Sequence, residues 1–420
     1  MRSVKALIER LRGLRPQVDE VLDTRPLDML DPTFVCDPYP FYRWLQQHDP
    51  VHRSKSGAWL LTRHRDIVAA FAHPALGNAP SRFSVIGPRN RERYVCADVA
   101  HAILPFLDKP EHVLPRRIIA SVFRAHLKDN PVDMAGIAQR LLKPRLSSGH
   151  MDAIADFGTP LSVEVISAIM GLPASDRDRL VRWSYYFFHL FAPMPSDEVR
   201  ERTDQALTEF RGYFEALVHE RRLRPGADLI SQLLLAEDDG RRLSEPQVTG
   251  ACMLLFSDGV ENVDAGIANT LLALHRHPSE MQRAKAAPEL MASVVMEGLR
   301  YDSPAQLIAR VAREDLEIAG TTIKRDTPVF LALGAANRDP EIFEKPDVFD
   351  PSRNAAALVS FGMGRHSCIG AMLVKQQIEC ALRVLLQATA TIRIETDALE
   401  WTPRIGHRWL KTLPVRLSAC

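Results

Sequence analysis

The chemistry legible in this chain concentrates in one segment, Phe361-Gly362-Met363-Gly364-Arg365-His366-Ser367-Cys368-Ile369-Gly370. It reads as a glycine-rich loop that delivers a cysteine to the start of a helix. Gly362, Gly364 and Gly370 permit turns and close backbone approaches that a Cβ would block. A cysteine at a helix N-terminus meets the positive end of the peptide dipole and free N–H groups, and both favour thiolate over thiol. A thiolate held this way can ligate a haem iron. The plainer alternative, for the cysteine alone, is a buried thiol that happens to follow a glycine loop. Two helical pairs add to the picture. Glu297 and Arg300 are three apart and share a face, so they can pair. His112 and Arg116 are four apart and can both address one anion.

Elements must position these residues. Residues 38–50 and 64–73 read as helices around a short strand, Ala58–Thr62. Residues 75–107 lack clear periodicity and hold Gly77, Pro80, Gly87 and Pro88, so a long loop is expected there. From about 110 to 300 the pattern is helical, with Leu161, Val165, Ile166, Ile169 and Met170 on one face. Residues 246–277 can form one long helix that opens near Ser244 and closes before Pro278. Residues 315–333 turn to strand chemistry, 337–367 is irregular, and a last helix runs from about Ile369 to Ala388. The fold class expected is mainly α with minor β (α+β). Length alone, 420 residues, would suggest about three domains. No repeat, linker or boundary divides the chain, so a single domain over 1–420 is expected, with 1–25 as an N-terminal extension.

Composition narrows the function. The chain has 53 Lys+Arg against 52 Asp+Glu, a net charge of +1, which argues against bulk nucleic-acid binding. The six cysteines are scattered and form no CxxC pair, so neither a disulfide scaffold nor a structural zinc site is expected. Five of them read as small buried hydrophobes in a reducing compartment. The longest run without Lys, Arg, Asp or Glu is 15 residues, Ile67–Ser81, against about 18 or more for a membrane helix. The start of the chain lacks an apolar signal segment. A cytoplasmic protein without a membrane anchor is the expectation.

The Cys368 loop fits the pattern Phe-Gly-x-Gly-x-His-x-Cys-x-Gly and resembles the haem-binding loop of the cytochrome P450 family, of the soluble bacterial type. Glu297-Gly298-Leu299-Arg300 is similar to the family's Glu-x-x-Arg, and Phe349-Asp350-Pro351-Ser352-Arg353 follows it in order. The resemblance implies that Glu297, Arg300 and Arg353 form a core ion-pair network beneath the haem. It also implies that Cys368 ligates the iron of haem b, and that His112, Arg116 and Arg310 bind its propionates. His366, Phe361, Gly362 and Gly259 would complete the cofactor site. Ala336-Asn337-Arg338-Asp339-Pro340 resembles another recurrent stretch of the family. The likeness covers about residues 30–415.

One stretch departs from the family. The long helix should carry Ala-Gly-x-(Asp/Glu)-Thr across the haem, where an acid–alcohol pair helps deliver protons during oxygen activation. This chain has Asp258-Gly259-Val260-Glu261-Asn262. An amide donates and accepts hydrogen bonds but does not relay a proton as a hydroxyl does. Three readings follow: Asn262 positions a relaying water, holds a substrate hydroxyl or carbonyl, or serves less usual chemistry. Asp258 and Glu261 lie three apart, so both should not ionise easily unless a cation, such as a substrate amine, intervenes. Alternatively Asp258 turns aside to cap a bulge in the helix.

Trp183, Tyr185, Tyr186, Phe187, Phe188 and Phe191 place six aromatics in nine residues. They read either as a core cluster or, with Pro193 and Pro195 following, as a lid over an apolar substrate. Leu307, Ile308 and Ile405 are further pocket candidates, with Arg404 and His407 as polar ones. The resemblance implies a monooxygenase acting on an apolar small molecule in secondary metabolism, free or bound to a carrier protein. A ferredoxin and its reductase would supply electrons, docking on a basic face formed by Arg365, Lys375, Arg117 and Arg124. The plainer reading of those residues is an ordinary solvated surface. Peroxide-driven oxidation, ring closure or rearrangement, and a non-catalytic haem-binding or recruitment protein, are the rivals. A monomer without nucleic acid or membrane is expected.

Overall fold

The long helix begins where its capping residues dictate. Ser244 Oγ accepts from the Gln247 amide, and Gln247 Oε1 accepts from the Ser244 amide at 2.9 Å, a reciprocal cap. The helix runs Glu245–Arg276 without interruption and stops before Pro278. It is buried along most of its length, from Val248 to Leu274, so it is a central core rod rather than a surface helix. Helices Thr159–Met170, Asp197–Leu223, Met291–Tyr301 and Ala371–Ala388 pack around it. The computed structural model describes residues 26–192, 196–395 and 399–420. The expected N-terminal extension 1–25, and Pro193 and Pro195, lie outside the described residues.

Beside the helical mass stands a five-stranded sheet. Its strands in chain order are β1 Val51–Arg53, β2 Trp59–Leu61, β3 Leu76–Gly77, β4 Leu307–Ala312 and β5 Pro328–Ala332. Their spatial order is β1-β2-β5-β4-β3. β5 runs parallel to β2, with Phe330 opposite Leu60, and antiparallel to β4, with Leu331 opposite Ile308. This sheet covers a second core that includes Leu60, Leu61, Leu331 and Ala335. A hairpin, Leu316–Ile318 with Thr321–Ile323, turns through Ala319 and Gly320 at φ +48° and +79°. Two consecutive positive-φ residues match the right-handed twist of the strands they join.

Two expectations need correction. The stretch 75–107 is not simply a loop: Val95–Ala102 is a helix, with Cys96, Ala97, Val99 and Ala100 buried against the core. Tertiary burial of one face, not propensity, makes it helical. The last helix begins at Ala371, with Gly370 as its cap, so Cys368 precedes the helix rather than opening it. The segment Ala153–Met170 is long and apolar enough to span a membrane by length and composition, but 61% of it is buried inside the protein. Among the other cysteines, Cys96 and Cys252 are buried, but Cys36 and Cys420 are exposed.

An internal clamp joins distant parts of the chain. Arg408 donates to Asp302 Oδ1 at 2.7 Å and to the Cys36 carbonyl at 3.0 Å, and lies 3.6 Å over the Trp401 ring. Tyr39 donates to the same Asp302 oxygen at 2.7 Å.

Candidate active site

The Cys368 loop owes its path to two left-handed glycines, Gly362 at φ +64° and Gly364 at +68°. The Cys368 amide donates back to the Phe361 carbonyl at 2.8 Å, which closes the loop. The amides of Gly370 and Ala371 donate to the Cys368 sulfur. Cys368 borders a cavity of about 860 Å³. Cys368 is open to the cavity, yet the protein packed around it pushes the thiol up to about 11, with the Asp258 carboxyl adding to the rise; the two amides and Arg116 pull the other way. The helix end therefore helps the thiolate, as expected from sequence, but burial outweighs it. A bound metal cation reverses this balance, because a coordinating thiol is deprotonated outright.

Beneath the loop lies the ion-pair network. Arg300 and Glu297 pair through two bonds, of 2.7 and 2.8 Å, with side-chain exposures of 0% and 2%. Arg300 also donates to the carbonyls of Asn337 and Pro346, both at 2.9 Å, and of Val348. Arg353 stands 3.6 Å from Glu297, which also accepts from the Asp350 amide at 2.8 Å. The connection to the cysteine loop runs through Asn337. Its carboxamide accepts from the Val359 amide at 2.9 Å and donates to Ser360 Oγ at 2.7 Å. Sequence reasoning noted the stretch around Asn337 but gave this residue no task.

Around the cavity rim four basic side chains gather: His112, Arg116, Arg310 and His366. The His112 and His366 rings lie 4.0 Å apart, and both Nε2 atoms are buried without a partner. Burial, then neighbouring cations, pushes His112 down to about 4; burial and the His112 ring push His366 down to about 3. Arg310 donates only to the adjacent Ala309 carbonyl and sits 5.4 Å over Phe71. Arg116 donates to the Ser367 carbonyl. Such a set, with orphaned nitrogens and no acid paired to it among the described residues, suits the carboxylates of a bound group. A thiol on one wall and an anion-binding rim fit a haem with its propionates.

On the facing wall, Asp258, Gly259 and Asn262 border the cavity. Gly259 also serves packing: a Cβ there would meet Ile166 Cγ1 at 3.0 Å. The helix has no bulge for Asp258 to cap. Burial pushes Asp258 up to about 7. Glu261 does not border the cavity. It accepts from Ser184 Oγ at 3.1 Å and feels Arg404, although burial still pushes it up to about 7. The carboxyl it repels is Asp264, which burial holds well up and which accepts from Thr159 Oγ1 at 2.6 Å. Sequence spacing paired Glu261 with Asp258; the helix turns these two to different sides, and Asp264, equally three residues away, takes that place.

The expected pocket splits in the same way. Phe188, Phe191, Leu307 and Ile308 border the cavity. Phe187 is fully buried against Phe210, and Ile405 packs into the sheet core, so neither borders it. Arg404 lies over the Tyr185 and Trp409 rings, and His407 borders the cavity. Of the expected basic face, Arg117 is ion-paired with Asp238 at 2.7 Å, and Lys375 lies 6.0 Å over the Phe361 ring. A concavity on that side is lined by both Arg124 and Glu237, so its charge is mixed.

The Cytochrome P450 family description matches residues 177–392. The "Biotin biosynthesis cytochrome P450" of Bacillus subtilis (strain 168) is 31% identical, over 91% of this chain and 96% of its own length. The "Polyketide biosynthesis cytochrome P450 PksS" of the same organism is 32% identical, over 92% and 97%. Among solved structures, P450BioI in complex with hexadec-9Z-enoic acid ligated acyl carrier protein superposes with a TM-score of 0.85. It is 30% identical and covers 92% of this chain and 99% of that one. This chain therefore belongs to the cytochrome P450 family, with its α+β fold, haem cofactor and oxidoreductase activity.

Proposed function

We propose that residues 30–415 form one haem-enclosing unit that inserts a single oxygen atom into a C–H or C=C bond of an apolar small molecule. The observation that carries this reading is the single cavity joining three things: Cys368, the basic rim of His112, Arg116, Arg310 and His366, and an apolar wall. That wall includes Phe188, Phe191, Leu254, Leu255 and Ile308. Haem held on a thiolate supplies the activation of dioxygen. The chain's own residues do the rest. Cys368 holds the iron, and the amides of Gly370 and Ala371 steady its sulfur. Glu297, Arg300, Arg353 and Asn337 keep the loop in shape. Phe188 and Phe191 exclude water above the site. Glu261, with Ser184 and Asp264 beside it, holds exchangeable protons at the outer side of the helix, and Asn262 faces the cavity with an amide in place of an alcohol.

Biosynthetic relatives support a substrate from secondary metabolism. The acyl-carrier-protein complex of one relative supports delivery on a carrier as a form to be tested beside the free molecule. Electrons from a ferredoxin and its reductase would arrive on the Cys368 side, where Arg124 lines the concavity and has no acid paired to it among the described residues. The test is reconstitution: reduced, carbon-monoxide-bound protein must show a band at about 450 nm. NADPH-driven product formation must require the ferredoxin pair. Asn262 favours a second reading, peroxide-driven oxidation or ring closure. Turnover with peroxide alone, at a rate matching the ferredoxin system, would select it.

A further inference from the structure

The cavity holds an acid without a partner. Asp258 has no hydrogen-bond or ion-pair partner among the described residues that border the cavity. The other acid there, Asp326, is answered by Arg82 at 3.1 Å. Four residues on, one turn along the same face, the Asn262 Oδ1 is also buried and without a partner. Around the pair the wall is apolar: Leu254, Leu255, Ile166 and Phe191. The cations that line the cavity are Arg116 and Arg310, on the Cys368 rim, and Arg325, which pairs with Asp326 at 3.8 Å; among the described residues none of them pairs with Asp258. An acid and an amide oxygen, both unsatisfied and both facing one space, call for a hydrogen-bond donor with positive charge. Among the described residues nothing supplies it, so a ligand is the remaining source.

We infer that Asp258 and Asn262 form a recognition site for a protonated amine, so that the substrate is an apolar molecule carrying a basic nitrogen, held by an ion pair to Asp258 and a hydrogen bond to Asn262. This deepens the monooxygenase reading and rests on it. The ion pair fixes the nitrogen and thereby selects which carbon faces the haem. It also keeps the amine protonated, which prevents its lone pair from ligating the iron.

Spectral titration of the ferric holoprotein tests this with three probes that share one alkyl chain: N,N-dimethyldodecylamine, dodecan-1-ol and dodecanoate. Wild-type protein should bind the amine at least about 10-fold tighter than the alcohol, with a blue-shifted Soret band that marks loss of distal water. Asp258→Asn should weaken amine binding by at least about 30-fold, the loss expected when one partner of a desolvated ion pair is removed. Its affinity for dodecan-1-ol should move less than about 3-fold, which also shows that the variant is folded. Asn262→Ala should weaken the amine by a smaller factor. Equal binding of amine and alcohol, or amine binding unchanged in Asp258→Asn, overturns the inference. So does a red-shifted Soret band in the wild type, which marks nitrogen on iron. The carbon-monoxide band separates the two levels: if it is present and the amine is not preferred, the amine site alone falls. If it is absent, the haem-thiolate reading falls and this one with it.

Discussion

Removing Glu297 should destabilise the protein by leaving a buried guanidinium without its carboxylate. In Glu297→Ala, the Arg300 guanidinium, 0% exposed, keeps its charge and three carbonyl acceptors but loses both carboxylate bonds. Breaking one side of a buried pair costs about 3–5 kcal/mol, because the remaining charge stays desolvated. Unfolding entropy is about 2 cal/mol/K per residue near 60 °C, or about 0.9 kcal/mol/K for a 420-residue chain. A loss of about 4 kcal/mol therefore lowers Tm by about 4–5 °C. The Asp350 amide and Arg353, which also face Glu297, lose their acceptor too, so the drop should not fall below this range. Glu297→Gln, which keeps an acceptor for Arg300 and for the Asp350 amide at the same side-chain length, should be less damaged than Glu297→Ala. Far-UV circular dichroism melts of holoprotein with matched haem content read both. A Tm fall under about 1 °C for Glu297→Ala, or Glu297→Gln worse than Glu297→Ala, would refute the argument.

Other outcomes follow from the site. Cys368→Ser should fold and bind haem but lose the band at about 450 nm, and retention of that band would remove Cys368 as the ligand. Arg310→Leu should weaken haem retention by about 10-fold or more, the worth of one charge-assisted bond, read by haem transfer to apomyoglobin. No change would place the propionates elsewhere. Asp108 should show in the pH dependence of stability. Burial would raise its carboxyl, but the amides of Asn78 and Ala79 and the Arg313 guanidinium overcome that and hold it below the ordinary value. Its stabilisation is thus full above the unfolded value, about 4, and is lost as pH falls through the lower folded one. The urea-midpoint gap between wild type and Asp108→Asn should shrink on acidification below about pH 4, and a gap that widens would contradict the assignment.

Much of this was legible in the linear sequence because the signals are local. Glycines two apart before a cysteine, Glu and Arg one helical turn apart, and a Ser cap with Gln three residues later each constrain their own neighbourhood. What stayed hidden depends on orientation. Spacing alone treats Glu261 as equally near Asp258 and Asp264, since both are three residues away; only packing of the long helix shows which side faces the cavity. Phe187 and Phe188 are adjacent and chemically identical, yet one faces Phe210 and the other faces the site. Asn337 carries no charge or motif chemistry of its own, and its use emerges only when strands and loops about 20 residues apart in sequence close around it.

The clamp of Arg408, Asp302 and Tyr39 carries a lesson for recombination between relatives. The segment bearing His407, which borders the substrate side of the cavity, is fastened through Arg408 to the carbonyl of Cys36 and, through Asp302, to Tyr39. Segments 372 residues apart in the chain are therefore held as one mechanical piece. A chimera that exchanges residues 399–410 for a segment lacking arginine at 408 would leave the buried Asp302 carboxylate, with Tyr39 bound to it, without its cation. Crossovers that keep Arg408 with Asp302 and Tyr39 should preserve expression level, and those that lose the arginine should lower it.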